Sequence, residues 1–384
     1  MNWIRDNIVK IIIILIVAVL VIVFAVACSG DDDDEVGTES ATGYIELENK
    51  LQNAAYKYVK KNQKLLPKTT EKSVKIKLDT LINNRYIKEI HAIENSSVVC
   101  SGYVEITKKF EDKSDYRYTP YIKCGKYYET KTIGEYIKSN EAIVKDGDGL
   151  YLLSENSDGS SYFYRGENPN NYIILDERPY RILEVDENNY LKLIAMKKTS
   201  RSYKWDDRYN SSINKTNTYG INDYSLSRIK DTLELLYESE SSDDEVYFTE
   251  KEKGYIVERD FCVGKRSSSD TAINKINECK DTNSQKVGLI TVSEYYRIST
   301  STGCTEVGKL DCNNYNYLHG YSSNKFVTLT ASADNTYSYY LIDNSAYEEY
   351  RCNRGYGLYP VIYINNNILY KSGSGTKTDP YIVR

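Results

Sequence analysis

Histidine is almost missing from this chain: among 384 residues only His91 and His319 occur. Imidazole-based metal sites and His-dependent nucleophilic catalysis therefore have very little material, and a lone histidine is ordinarily structural. The eight cysteines, at positions 28, 100, 124, 262, 279, 304, 312 and 352, contain no Cys-x-x-Cys pair. That spacing argues against zinc ribbons and thioredoxin-type redox motifs. A basic excess is absent too, since 50 Lys and Arg face 55 Asp and Glu, for a formal charge of −5. Nucleic acid is not expected as a partner, and no cofactor or metal is called for.

What the chain does have is one long apolar run, residues 11–27, closed by Cys28 and followed by Ser29, Gly30 and four aspartates at 31–34. Counting Cys28, a helix of this run would be roughly 27 Å long, close to the hydrocarbon thickness of a bilayer. Arg5 and Lys10 precede the run and acidic residues follow it. The positive-inside bias then leaves residues 1–10 cytoplasmic and nearly everything after residue 28 outside the plasma membrane. Two anchors in the lipid bilayer are open: a retained transmembrane helix over 11–28, or a lipoprotein acylated at Cys28. For the second, Ala25-Val26-Ala27-Cys28 resembles a bacterial lipobox, with Ala25 where leucine is usual. The aspartate run reads as a solvated linker and not as a metal cluster.

Tyrosine is abundant, 39 against 6 phenylalanines and 6 prolines. Such strands suit extracellular sheets, where the ring buries apolar area while the hydroxyl stays wet. Outside the membrane the cysteines read as disulfides, and local pairing joins Cys100 with Cys124, Cys262 with Cys279 and Cys304 with Cys312. Cys352 is left odd if Cys28 sits in the membrane or carries lipid; spacing alone does not prove the connectivity.

Residues 29–43 read as an acidic flexible linker, and the fold is expected to begin near Tyr44. Leu47, Leu51, Ala54, Ala55, Tyr58 and Val59 recur at helical spacing, predicting a helix that ends before Pro67. Val74, Ile76 and Leu78 alternate as in a half-buried strand; Leu81, Ile82, Tyr86 and Ile87 predict a short second helix; residues 98–107 and 116–124 predict two more strands. The segments LENKLQNAAYKYVKKN, VKIKLDTLINNRYIKEI, GYVEITKK and YTPYIKCG together resemble the globular part of pilin-like surface proteins of Gram-positive bacteria. The resemblance covers about residues 44–130 and implies a helix-plus-sheet domain, assigned here to 44–145. No prepilin site precedes the apolar run.

Asp146-Gly147-Asp148-Gly149 lacks the rest of a calcium loop and reads as a turn at the domain boundary. Beyond it, residues 162–165, 172–175, 180–185 and 190–196 carry a β-meander signature. A helix is expected over 223–237, with Leu226, Ile229, Leu233 and Leu236 on one face, and another starting at Thr249 with Glu252 completing a capping box. Strands are expected at 287–291, 326–330, 338–342 and 358–364. Gly373-Ser374-Gly375-Thr376 reads as a tight turn in a final hairpin. YFYRGENPNNYIILDERPYRILEVDENNYLKLIAM, YGINDYSLSRIKDTLELLY, VGLITVSEY and the ending GLYPVIYINNNILYKSGSGTKTDPYIV resemble an uncharacterised extracellular domain of Firmicutes surface proteins. That domain is similar to C-type-lectin-like and sulfatase-modifying-factor-like modules, and the resemblance implies a loop-rich α+β domain over 146–384 with no catalytic motif to carry over.

Trp205, with Tyr203 and Tyr209, is the candidate ligand-binding set, a stacking platform for sugar rings; the competing reading makes Trp205 a core side chain. Asp206 and Asp207 beside it are the first candidates for glycoside or peptidoglycan hydrolysis, were the chain a cell-envelope enzyme. The expectation is an α+β, membrane-anchored, non-enzymatic surface protein whose partner is an extracellular glycan, wall polymer or protein. A structural subunit of a surface appendage is the third reading.

Overall fold

The computed structural model describes residues 35–156, 159–208, 219–239, 247–319, 325–343 and 346–384. The apolar run, Cys28 and Tyr209 lie outside the described residues, among which no helix is long and apolar enough to cross a membrane. The chain is a mixed α+β protein, rich in sheet and with few helices. It divides into two compact units: the first comprises residues up to 68 with 72–107 and 120–129, and the second comprises 69–71, 108–119 and 130–384.

In the first unit the helix α1 (Glu35–Lys61) begins nine residues before Tyr44, so residues 35–43, expected as a flexible tether, are its first turns. Its buried stripe is Tyr44, Glu48, Leu51, Ala54, Ala55 and Val59. The stripe includes a glutamate because the Tyr128 hydroxyl donates to Glu48 at 3.0 Å, while the Tyr128 ring stacks on Tyr44 with centroids 4.1 Å apart. A buried carboxylate of this kind is tolerable only with such a partner. The strand β1 (Ser73–Lys77) stops one residue short of Leu78, which opens α2 (Leu78–Asn83). That helix ends earlier than expected because Arg85 takes a positive φ of 61°. A sheet follows in the order β1, β2 (Ser101–Lys108), β3 (Tyr116–Cys124), β4 (Tyr128–Glu129). Val104, Ile106 and Ile122 are buried in it, and the Cys100–Cys124 disulfide clamps its end.

The longest stretch of the second unit runs from residue 130, and the Asp-Gly turn at 146–149 lies within it. The physical reason is α3 (Ile133–Asn140), whose Ile133 and Ile137 enter the core of this unit. The Asp-Gly segment is a turn: Gly147 has φ +72°, and the Asp148 carboxylate accepts from the amides of Glu167 and Asn168 at 2.8 and 2.9 Å. From it run β5 (Gly149–Asn156), β6 (Gly159–Arg165), β7 (Tyr172–Leu175), β8 (Arg178–Val185) and β9 (Leu191–Ala195). The last three form the meander, β7 and β9 flanking β8 in antiparallel register. Every residue of β9 is buried, the ion-paired Lys192 included, so both faces of the strand are covered.

Further along lie β10 (Tyr203–Lys204), α4 (Arg228–Glu238), α5 (Glu250–Lys253), β11 (Ile256–Val257), β12 (Arg259–Cys262), β13 (Lys265–Arg266), β14 (Thr282–Gln285), β15 (Val287–Gly288) and α6 (Val292–Arg297). Helix α4 buries Ile229, Leu233 and Leu236, whereas Leu226 is exposed because Ser227 is extended and caps the helix after it. The capping box of Thr249 and Glu252 at α5 forms as expected. A second box, Thr291 with Glu294, caps α6, so the strand expected over 287–291 is shortened to Val287–Gly288. The chain closes with β16 (Lys325–Ser332), β17 (Ser338–Asp343), β18 (Ala346–Arg351), β19 (Gly355–Tyr356), β20 (Val361–Ile364), β21 (Tyr370–Ser372) and β22 (Tyr381–Val383).

Ten of these strands build one sheet along β11-β20-β9-β8-β7-β22-β21, with β15 on β20 and β5-β6 joined to β8. Four more form β13-β16-β17-β18, and β10-β19 and β12-β14 are two-stranded ribbons. The final hairpin returns β22 parallel to β7, pairing Tyr381 with Ile173. Its turn needs glycine: Gly373 has φ +93° and a β-carbon there would lie 2.0 Å from the Pro380 carbonyl oxygen. Disulfides Cys262–Cys279 and Cys304–Cys312 staple two loops of this unit, and Cys352 is a buried free thiol.

Candidate functional site

Trp205 follows β10 directly, and the structure makes it a core side chain: it is 0% exposed. Its Nε1 donates to the Thr328 carbonyl at 3.2 Å, its ring stacks on Tyr339 with centroids 6.1 Å apart, and Tyr224 meets it edge-on at 6.2 Å. A ring so enclosed has no face left for a ligand, so the platform role does not fall to Trp205 itself. Apolar area draws the indole inside, and the carbonyl satisfies its one polar atom.

Asp206 is equally enclosed, at 1% exposure. Its carboxylate accepts from the amides of Ile221 and Arg228 at 3.0 and 3.1 Å and from Arg208 Nε at 3.1 Å. Because Arg228 is the first residue of α4, this negative charge sits on the positive end of that helix. Beside it Gly220, at φ +74°, lets the backbone approach to where a β-carbon would be 2.2 Å from the Asp206 carbonyl oxygen. Asp207 takes ion pairs from Lys204 at 2.9 Å and Arg228 at 2.6 Å. Partial burial raises its carboxyl, but those two cations outweigh burial and hold it below the usual carboxylate range. The two aspartates are thus joined to different partners and brace the start of α4.

Tyr203 is placed differently. Half-buried, it pairs across the ribbon with Tyr356, and Lys204 pairs with Gly355. Tyr356 meets Tyr350 edge-on at 5.7 Å, and the Lys325 ammonium lies 5.4 Å from the Tyr356 centroid. Lys325 is itself paired with Asp343, which raises its pKa. Tyr350 lies opposite the buried Tyr339 in the β17-β18 register. Trp205 and Tyr339 thus stack in the core, and the strand registers place half-buried Tyr350 opposite Tyr339 and half-buried Tyr203 opposite Tyr356. Desolvation, then the neighbouring Tyr356 and Glu348, raise the Tyr350 phenol above its ordinary value, so that hydroxyl is a neutral donor near neutral pH. Nearby, Tyr219 meets Tyr337 at 6.5 Å, and the Arg351 guanidinium sits 4.2 Å over the Tyr219 ring.

Rigid aromatic rings backed by a packed core can stack on ligand rings at small conformational cost. Tyr350, Tyr356 and Lys325 were not singled out from the sequence. Nothing local marks them among 39 tyrosines; only the pairing of β10 with β19 brings Tyr203 to Tyr356.

Two groups of strongly buried charges elsewhere in this unit lie against one another. The Glu294 carboxylate takes ion pairs from Lys192 and, at 2.8 Å, from Lys275, which also reaches Glu184 at 3.4 Å. Burial alone would raise the Glu294 carboxyl; Lys192 and then Lys275 reverse this and hold it far below the usual range. Arg266 and Glu278, each 0% exposed, lie 3.6 Å apart, and Thr330 Oγ1 donates to Glu278 at 2.7 Å. Burial pushes the Cys352 thiol well up, so it is held as an unreactive thiol. Among the described residues no group of three or more His, Cys, Asp or Glu side chains is arranged to hold a metal ion.

No protein-family model, no curated protein and no solved structure matches this chain.

Proposed function

We propose that this chain is a membrane-anchored, cell-surface recognition protein that binds a ring-bearing extracellular ligand, a glycan before all, on Tyr203, Tyr350 and Tyr356. The observation that carries the reading is the set of three half-buried tyrosines that the strand registers place beside the buried Trp205–Tyr339 pair, with Tyr350 and Tyr356 meeting edge-on. Anchoring rests on the apolar run of residues 11–28 and its charge flanks. Three disulfides support an oxidising, extracytoplasmic setting. The meander and closing hairpin of the second unit, and the helix-plus-sheet layout of the first, are in keeping with lectin-like and pilin-like modules; those likenesses rest on the residues quoted above. Turnover is not part of the reading, since Asp206 and Asp207 are engaged in holding α4.

The test is binding of the purified full chain to a glycan array and to isolated cell wall, with product analysis in parallel. Saturable binding without product, weakened on the order of tenfold by Tyr356→Ala, is expected. Release of sugar or peptide fragments, lost in Asp207→Asn, would instead favour the hydrolase.

A further inference from the structure

The surroundings of the tyrosine ribbon are cationic, although the chain as a whole carries a formal charge of −5. Residues 197–208, which lead into and past β10, hold Lys197, Lys198, Arg201, Lys204 and Arg208 against Asp206 and Asp207. The end of β18 and its link to β19 add Arg351 and Arg354, beside Glu348 and Glu349 of β18. Lys197, Lys198, Arg351 and Arg354 are all exposed, and none is ion-paired to a carboxylate among the described residues. The lysine stems are placed by glycine. A β-carbon on Gly357 would lie 3.0 Å from Lys198 Cδ, and one on Gly355 3.5 Å from Lys204 Cγ. Gly355 and Gly357 bracket Tyr356, so two lysine side chains lie against the strand that carries that ring, and Lys325 approaches the ring itself.

Exposed cations that no described carboxylate neutralises attract anionic ligands. Resting on the reading above, we infer that the ligand of this surface is an acidic polysaccharide, its sugar rings stacking on Tyr203 and Tyr356 and its carboxylates paired with Lys198, Arg351 and Arg354. A hexuronate polymer spaces its charges a sugar or two apart, which a handful of cations can match. Nucleic acid, with a charge at every nucleotide, fits a net-acidic chain poorly.

The experiment is titration of the full chain, purified in detergent, with a hyaluronan oligosaccharide and with its carboxyl-reduced neutral form, each at low and at physiological salt, beside poly(dT). Expected are binding to hyaluronan that weakens with salt, binding lost on carboxyl reduction, and a roughly five- to tenfold loss in Lys198→Ala/Arg354→Ala with an unchanged melting curve. Equal binding of the neutral form would overturn the acidic ligand and leave stacking recognition standing. Failure of both saccharides to bind would overturn the acidic-polysaccharide inference and leave the broader reading to the glycan array, and tighter binding of poly(dT) than of hyaluronan would overturn the inference in favour of nucleic acid.

Discussion

Replacing Trp205 by alanine separates a core indole from a binding platform. The side chain is 0% exposed, touches Tyr339 and Tyr224, and donates to Thr328. Truncating a buried aromatic to alanine costs about 3–5 kcal/mol, and the stranded Thr328 carbonyl belongs to the upper part of that range. In a unit of this size each kcal/mol lowers the melting temperature by about 2–4 °C, so Trp205→Ala should lower it by roughly 10 °C or more. Trp205→Phe keeps most of the ring and loses the hydrogen bond, for a cost of about 1–2 kcal/mol. The assay is urea unfolding followed by far-UV circular dichroism, comparing midpoints at constant slope. A midpoint shift worth less than about 1 kcal/mol for the alanine variant, together with lost ligand binding, would refute the packing argument and return the ring to the surface.

Glu294→Gln removes the only charge of a buried carboxylate shared by Lys192 and Lys275 and should destabilise by about 3–5 kcal/mol, read as a urea midpoint. The same group gives a pH dependence. Its folded pKa is depressed, so its stabilisation is present above the ordinary value of 4.5 and is lost progressively as pH falls below that; an acid melt in which Glu294→Gln shows the same loss as the parent would contradict the assignment. Asp206→Ala should cost about 2–3 kcal/mol and Asp207→Ala less than about 1 kcal/mol, because only the first strands buried amides. Equal thermal shifts would be evidence against that division. Alkylation of the oxidised native chain should leave Cys352 unmodified until denaturant is added, checked by peptide mass spectrometry; rapid native labelling would show the thiol is not buried.

Local chemistry was enough for much of this protein. Three disulfides pair neighbours in sequence because short loops keep their ends together, and the Thr249 and Glu252 box needs only three residues. The meander strands stand where β-branched and aromatic runs end in Asn, Asp and Gly. Helix α1 was legible from its stripe, but its start at Glu35 and the buried Glu48 were not, since Glu48 goes inside only because Tyr128 arrives from a distant strand. The place of α3 was not legible for the same reason: the helix belongs to whichever core accepts Ile133 and Ile137, and that core is assembled from later residues. What the sequence by itself determined, then, is the set of short-range elements, the cystine loops and the apolar, charge-flanked run at residues 11–28. Which tyrosines meet, and whether Trp205 faces solvent or core, was decided only by tertiary structure, because the pairing of β10 with β19 and the packing of Trp205 on Thr328 and Tyr339 join residues more than a hundred positions apart.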